Sequence, residues 1–154
     1  MNPINILFYF FLAVAAVGAM AIVFSRNVFK SALYLLVTLI SIAALYVLSY
    51  AEFLAVTQVL IYAGGITVVI IFGIMLTTRI SGKPLVVTNK HIFSGGLAAS
   101  GLFVLLIKYL AVFSPFDNTM APEHISAIGL QIFSTYSLAF ELAGILLLIA
   151  LIGA

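Results

Sequence analysis

The chain has 154 residues, of which 66% are hydrophobic and 6% are charged, and its formal net charge is +2. A soluble domain has about 45 to 50% apolar and about 25% charged residues, so this composition excludes a soluble protein and indicates an integral membrane protein. The sequence contains no cysteine, which excludes disulfides, thiolate metal sites and iron–sulfur ligation within this chain.

The apolar runs predict five helices, each about as long as the roughly 20 residues that cross a bilayer. We therefore expect an all-α integral membrane protein with a single membrane domain over residues 1–154. The first run has no basic residue before it and is followed by Arg26, which is the reverse of a secretory signal, so we interpret it as a retained helix. The five predicted spans are residues 4–24, 31–50, 53–78, 92–112 and 136–154.

The first two predicted helices carry signs of close packing and of internal hydrogen bonding. The first contains small residues beside which another helix can approach closely. In the second, the polar groups are Ser, Thr and Tyr hydroxyls, which can bond to carbonyls of their own helix or to neighbours. The small residues of the first helix are Ala15, Ala16, Gly18 and Ala19.

The third span separates Glu52 from Arg79 by 26 residues without a charge. As a straight helix these residues extend roughly 39 Å, against a hydrocarbon thickness of roughly 30 Å, so the segment crosses the membrane with length to spare. Polar and small side chains at spacings of four and three share one face, which we expect to contact protein. That face consists of Gln58, Tyr62, Gly65, Val69 and Phe72.

Gly64 and Gly65 stand together in the middle of the third span. Two residues without a Cβ weaken the helix and permit a kink or a single-turn π-bulge, provided that the freed carbonyls find partners inside a bundle. A helix whose local winding can change is a candidate switch. The alternative is that these glycines only allow another helix to pack closely.

The fourth and fifth spans are separated by the longest predicted connection, residues 114–136. It contains an apolar piece, residues 125–133, which predicts a short helix lying at the membrane interface. His91 and His124 are single histidines in loops, and no other ligand type is grouped with them, so a metal site is not expected.

Basic residues predict the orientation, because they concentrate in cytoplasmic loops. Five of the six lie in the first and third connections, so we expect the N-terminus outside and the C-terminus inside. We also expect a multi-pass protein of a bacterial plasma (inner) membrane. The five are Arg26, Lys30, Arg79, Lys83 and Lys90, and the sixth is Lys108.

Three runs in the third span resemble the third helix of one family: EF at 52–53, QVLIYAGGI at 58–66 and FGIML at 72–76. This family is chain 6, or subunit J, of the proton-pumping NADH:quinone oxidoreductase, respiratory complex I. The run FELAGILLL at 140–148 is similar to the family's fifth helix, and the hydropathy of all five spans follows the family's profile.

The resemblance implies a membrane-arm subunit that couples quinone reduction to proton translocation. In the family the third helix interconverts between a regular and a π-bulged form, which assigns helix gating here to Tyr62, Ala63, Gly64 and Gly65. No cofactor is then expected in this chain, while NADH, FMN, iron–sulfur clusters and quinone belong to the complex. The implied partners are quinone-site, small K-type and antiporter-like subunits and the lipid bilayer, with no nucleic acid.

Four polar residues are candidates for a proton path: Glu52, Gln58, Tyr62 and Glu141. Ionisable groups at membrane depth are costly and usually functional. Each has an ordinary alternative, since Glu52 and Glu141 can be solvated acids near helix starts, while Gln58 and Tyr62 can be interhelical polar contacts. Some family members have a glutamate where this chain has Gln58, and the amide cannot take up a proton.

Two other functional classes remain open from the sequence. One is a subunit of a multi-subunit cation/proton antiporter or of a membrane-bound hydrogenase, where proton coupling persists without NADH. The other is a purely structural membrane subunit whose third helix never changes shape. In every case we expect no catalytic site in this chain alone.

Overall fold

The computed structural model describes residues 3–81, 92–112 and 125–154, and its elements there are helices. The third span consists of two α-helices joined without a break by a nine-residue π-helical segment, called the π segment below. In chain order the elements are α1 (Pro3–Phe24), α2 (Val28–Leu48), α3 (Glu52–Thr57), the π segment (Gln58–Ile66), α4 (Thr67–Ser81), α5 (Ile92–Val112), α6 (Ile125–Ser134) and α7 (Ser137–Gly153).

The helices agree with an all-α integral membrane protein. Four stretches of the described chain are long and apolar enough to cross a membrane, namely α1, α2, the third span and α5. The fifth predicted span corresponds to α7, whose 17 residues extend only about 26 Å. It is preceded by the predicted short helix, α6, and the two helices meet at 87°, so the count is five if this bent pair forms one span.

The chain divides into two compact units, Met1–Met120 and Ala121–Ala154. A single membrane domain stays a prediction. So does the orientation, because several of the residues that predict it lie outside the described part of the chain. These residues are Lys83, Lys90 and the side chain of Arg79. The two loop histidines, His91 and His124, also lie outside the described residues.

Asn27 fixes the start of α2, three residues before the predicted start. Its side-chain oxygen accepts hydrogen bonds from the backbone N–H groups of Phe29 at 2.9 Å and Lys30 at 3.2 Å. This satisfies two of the donors that a helix start leaves without intrahelical partners. The Ser31 hydroxyl donates to the Ile22 carbonyl at 3.4 Å, so the end of α1 and the start of α2 are tied together.

The α1–α2 pair is held by a close approach at Gly18, which is the buried residue of α1. A Cβ added at Gly18 would collide with the Thr38 hydroxyl oxygen. That hydroxyl in turn donates to the Tyr34 carbonyl at 2.8 Å, as Ser41 donates to Val37 at 2.8 Å. The prediction of a small packing residue in α1 is therefore confirmed at Gly18, whereas Ala16 and Ala19 are exposed in this chain, and the prediction of hydroxyls bonded within α2 is confirmed.

A tight turn connects α2 to the third span. The Ala51 N–H bonds to the Tyr46 carbonyl at 2.9 Å and the Tyr50 N–H bonds to the Val47 carbonyl at 3.1 Å, which are the two bonds of a Schellman motif. Tyr50 occupies the left-handed position of this motif with φ of 59°, where glycine is the usual residue. This turn directs the third span back along α2, which contacts all three of its parts.

Candidate functional site

The π segment shifts the backbone hydrogen bonds of the third span by one residue. The Thr67 N–H bonds to the carbonyl of Tyr62, five residues back, instead of four as in an α-helix. The Thr67 hydroxyl donates to the same carbonyl at 2.7 Å. Two donors of one residue therefore hold the C-terminal end of the segment.

The buried side of the third span faces the helix that packs along it, α2. The buried and half-buried residues on this side lie three, five, four, four and three positions apart along the sequence. The step of five, from Gln58 to Ala63, lies inside the π segment. In a continuous α-helix a step of five residues turns about 500°, so the residues on either side of it would not share a face. The extra residue of the π turn makes the line continuous. The buried members are Ala55, Gln58, Ala63 and Thr67, and the line continues through the half-buried Ile71 and Ile74.

The face predicted from spacings of four and three is not the face that packs against α2. Beyond Gln58, its members are largely exposed: Tyr62 by 47%, Val69 by 71% and Phe72 by 68%. Gly65 is exposed as well. The physical reason is the winding, because one additional residue in a turn rotates everything after it by about 100° relative to an α-helix.

Gly64 and Gly65 differ in what a side chain would meet. A Cβ at Gly64 would lie 3.1 Å from the Val59 carbonyl oxygen, whereas a Cβ at Gly65 would lie 3.6 Å from the Leu60 carbonyl oxygen, an ordinary contact. Among the described residues, no atom of another helix lies within 4 Å of either position. In the described part of the chain, therefore, neither glycine accommodates a neighbouring helix, and Gly64 is restricted by the winding of its own helix.

The candidate proton-path residues have different surroundings. Gln58 is only 8% exposed, on the side of the span that faces α2. Glu52 is exposed in the first turn of α3, where the helix dipole favours an acid. Glu141 is exposed on α7, in the second compact unit, and its position is described only within that unit. The structure thus places Glu52, Gln58 and Tyr62 on one span, but Tyr62 does not lie on the buried line with Gln58.

Thr67 is the residue of this site that sequence reasoning missed. It is 0% exposed and is the largest fully buried side chain of the described residues. A signal was present, because small or polar residues at 55, 58, 63 and 67 follow one another at spacings that only a helix with one extra residue can align. Chemically, this arrangement has no nucleophile or acid–base pair, and its distinctive feature is a Tyr62 carbonyl that accepts both the N–H and the hydroxyl of Thr67.

Known proteins resemble this chain over nearly its whole length. A family model described as NADH-ubiquinone/plastoquinone oxidoreductase chain 6 matches residues 18–154. The chain is 39% identical over 145 residues to the chloroplast NAD(P)H-quinone oxidoreductase subunit 6 of Chara vulgaris, covering 90% of this chain and 81% of the relative. It is 39% identical over 155 residues to NAD(P)H-quinone oxidoreductase chain 6 of Leptolyngbya boryana, covering 98% and 78%.

A relative that is named for a different electron donor is almost as similar to this chain as the two relatives above. The chain is 35% identical over 144 residues to the F(420)H(2) dehydrogenase subunit J of Methanosarcina mazei, covering 88% of this chain and 80% of the relative. The family match includes the whole third span.

Proposed function

Since the chain belongs to the NADH-ubiquinone/plastoquinone oxidoreductase chain 6 family, we propose that it couples quinone reduction to proton translocation by changing the winding of its third span. It is a multi-pass membrane subunit of an NAD(P)H-quinone oxidoreductase of the complex I type. One observation supports this coupling role, namely the step of five residues from Gln58 to Ala63 in the line that faces α2.

Two windings of the third span give two different faces toward α2. In the π form, Ala63 and Thr67 continue the line that runs through Ala55 and Gln58. If the segment rewinds to a continuous α-helix, α4 turns by about 100°, and Tyr62 takes the place of Ala63 on the side that carries Gln58. The Tyr62 hydroxyl, which can donate and accept, then aligns with the Gln58 amide. Winding would thereby open or close a polar path.

The chemistry of electron transfer is assigned to other subunits. NADH, FMN, iron–sulfur clusters and quinone would be bound by partners, including quinone-site, small K-type and antiporter-like subunits. This chain would contribute Glu52, Gln58, Tyr62 and Glu141 to a proton path, with Tyr62, Ala63, Gly64 and Gly65 at the gate. We place the five-span protein with its N-terminus outside in a bacterial plasma membrane.

Similarity to this subunit does not determine which electron donor the complex uses. The Methanosarcina mazei relative is named for F(420)H(2) rather than for NADH, and its identity to this chain is close to that of the NAD(P)H relatives. A second function is therefore the same coupling role in a complex with another donor. Assay of the purified complex with each donor separates the two.

Gly64→Ala, with Gly65→Ala as its matched control, tests the coupling role. An alanine at Gly64 crowds the Val59 carbonyl in the π form but favours an α-helix over glycine by about 1 kcal/mol, so it should trap the α form. An alanine at Gly65 has the same α propensity and meets only an ordinary contact in the π form. We expect Gly64→Ala to lower proton-coupled quinone reduction in proteoliposomes severalfold more than Gly65→Ala does.

Assembly must be measured on the same preparations, because a structural role would affect it first. The coupling role requires that the Gly64→Ala complex assembles normally on native gels and still transfers electrons to a soluble acceptor. Equal activities and equal proton yields in the two variants would contradict the proposal. Loss of assembly in Gly64→Ala, with normal activity per assembled complex, would instead support a purely structural helix.

A further inference from the structure

We propose that Thr67 is the residue that sets the winding register of the third span, because its hydroxyl holds the Tyr62 carbonyl in the π form. The assignment of Thr67 is argued from hydrogen bonds, and its consequence for proton translocation rests on the proposed coupling function. The bond joins Thr67 Oγ1 to the Tyr62 carbonyl at 2.7 Å, the usual length of a strong hydroxyl bond.

The other described hydroxyls on helices show how unusual this bond is. In α-helical segments, Ser and Thr hydroxyls donate to the carbonyl three or four residues back, because that carbonyl is the one within reach. The Thr67 hydroxyl reaches five residues back, which follows the winding of the π segment. Bonds four residues back include Ser31 to Asn27, Thr38 to Tyr34, Ser41 to Val37, Thr57 to Phe53, Thr77 to Gly73 and Ser134 to Leu130, and Ser100 bonds three residues back to Leu97.

The hydroxyl distinguishes the two windings. In the π form, Thr67 supplies both its N–H and its hydroxyl to Tyr62. In a continuous α-helix, Tyr62 would accept from Ile66, and the Thr67 hydroxyl would turn to Ala63, four residues back. A bond of that second type slightly destabilises and bends an α-helix. Removing the hydroxyl therefore takes a favourable bond from the π form, whereas the bond that it takes from the α form is one that itself disfavours the helix.

Burial makes the hydroxyl bond necessary. The Thr67 side chain is 0% exposed, so no solvent can replace the Tyr62 carbonyl as its partner. A buried hydroxyl without an acceptor is costly, and the π winding supplies the acceptor without disturbing the line that packs against α2. Valine has the same shape without the hydroxyl, so Thr67→Val changes the hydrogen bond while the packing volume is kept.

The test compares Thr67→Val with Thr77→Val in the intact resting complex. Thr77 lies ten residues later on the same span, and its hydroxyl bond to Gly73 has the same length, 2.7 Å, but follows α winding. Particle classification by cryo-electron microscopy gives the ratio of π to α conformers at residues 58–66. We expect Thr67→Val to lower this ratio about fivefold, the effect of one ordinary hydrogen bond, and Thr77→Val to leave it unchanged.

Two further substitutions at Thr67 separate the effect of the hydroxyl from an effect on assembly. Thr67→Ser retains the hydroxyl and should retain the π ratio of the unmodified chain. If Thr67→Val prevents assembly, Thr67→Ala removes the hydroxyl with a smaller side chain and should lower the ratio in the same way. A π ratio in the variants without the hydroxyl that equals that of Thr77→Val would overturn the assignment of Thr67.

Proton translocation measured on the same complexes separates this inference from the coupling proposal. If Thr67→Val shifts the winding while the proton yield per electron stays normal, Thr67 sets the register but the winding does not gate protons. If the winding is unchanged and the proton yield falls, the register assignment is overturned, while coupling through this span is retained. A shift in winding with a fall in proton yield supports both.

Discussion

The α1–α2 pair and the third span use the same two residue types, glycine and threonine, for different purposes. Gly18 and Thr38 lie on two helices, and the missing Cβ of the glycine leaves room for the threonine hydroxyl of the neighbour. Gly64 and Thr67 lie on one helix, where the glycine avoids crowding a carbonyl of its own chain and the hydroxyl bonds five residues back. One pair fixes the distance between two helices, and the other fixes the winding within a single helix.

The two regions should therefore respond differently to an added methyl group. In the α1–α2 pair, an added methyl group disturbs the packing between the two helices and lowers stability. In the third span, it acts on the balance between two windings and changes function while stability is largely kept. Single substitutions in the two regions test that division.

The largest effect is expected for Gly18→Ala. The new Cβ would collide with the Thr38 hydroxyl oxygen, so either this side chain or the helix separation must shift, at a cost of about 1 to 3 kcal/mol typical of overpacking. Gly73→Ala is the matched control, because nothing lies within 4 Å of its Cβ position. Thermal denaturation of the purified protein in detergent measures both.

A second substitution shows whether the collision is the cause. Thr38→Ala removes the hydroxyl, so the double variant with Gly18→Ala should recover part of the lost stability, as a double-mutant cycle measures directly. If the two single effects simply add, the close approach of Gly18 and Thr38 does not hold the α1–α2 pair.

A smaller effect is expected at the start of α2. Asn27→Ala removes the acceptor for two backbone N–H groups and should lower stability by about 1 kcal/mol. Asn27→Asp keeps an acceptor at this position and should be close to neutral. Denaturation of the same detergent-solubilised protein checks both variants, and an equal loss in both would show that the cap is not the reason.

In the third span, Gln58→Leu should separate function from stability. Gln58 is buried, and if its amide serves only as an interhelical contact, its loss costs roughly 0.6 kcal/mol and leaves proton translocation intact. If it belongs to a proton path, we expect the proton yield per electron to fall severalfold at almost unchanged thermal stability. Ser41→Ala, on the buried side of α2, is a control that should change neither by as much.

The smallest effect is expected at the turn between the two regions. Tyr50 has a φ of 59°, a conformation that disfavours residues with a Cβ. Tyr50→Gly removes this strain but adds freedom to the unfolded chain, so the net gain should be about 0.5 kcal/mol. Tyr50→Val, which is branched at Cβ, should lower stability instead. A higher melting temperature for valine than for glycine would contradict the Schellman geometry.

Composition and apolar run length were sufficient to predict the helices, because hydrocarbon thickness fixes how long a span must be. The same reasoning could not show that α6 and α7 meet at 87°, since hydropathy does not record chain direction. The start of α2 was placed three residues late because Asn27 was not recognised as its cap.

The candidate site shows a different limit of sequence reasoning. Spacings of four and three selected Gln58, Tyr62 and Gly65 as one face on the assumption of constant α winding. The two glycines indicated a place where winding can change, but they did not indicate the resulting register. That register depends on which residues pack against α2. The step of five from Gln58 to Ala63 identifies the register only once both of these residues are known to be buried.

The most direct test of the coupling role is to record the winding of residues 58–66 in the intact complex at rest and during turnover. Cryo-electron microscopy of both samples can distinguish the two forms, because α4 differs by a rotation of about 100°. The proposal predicts two populations under turnover, with Thr67 toward α2 in one and Tyr62 toward α2 in the other. A π segment with the same winding in every class, at rest and during proton translocation, would contradict it.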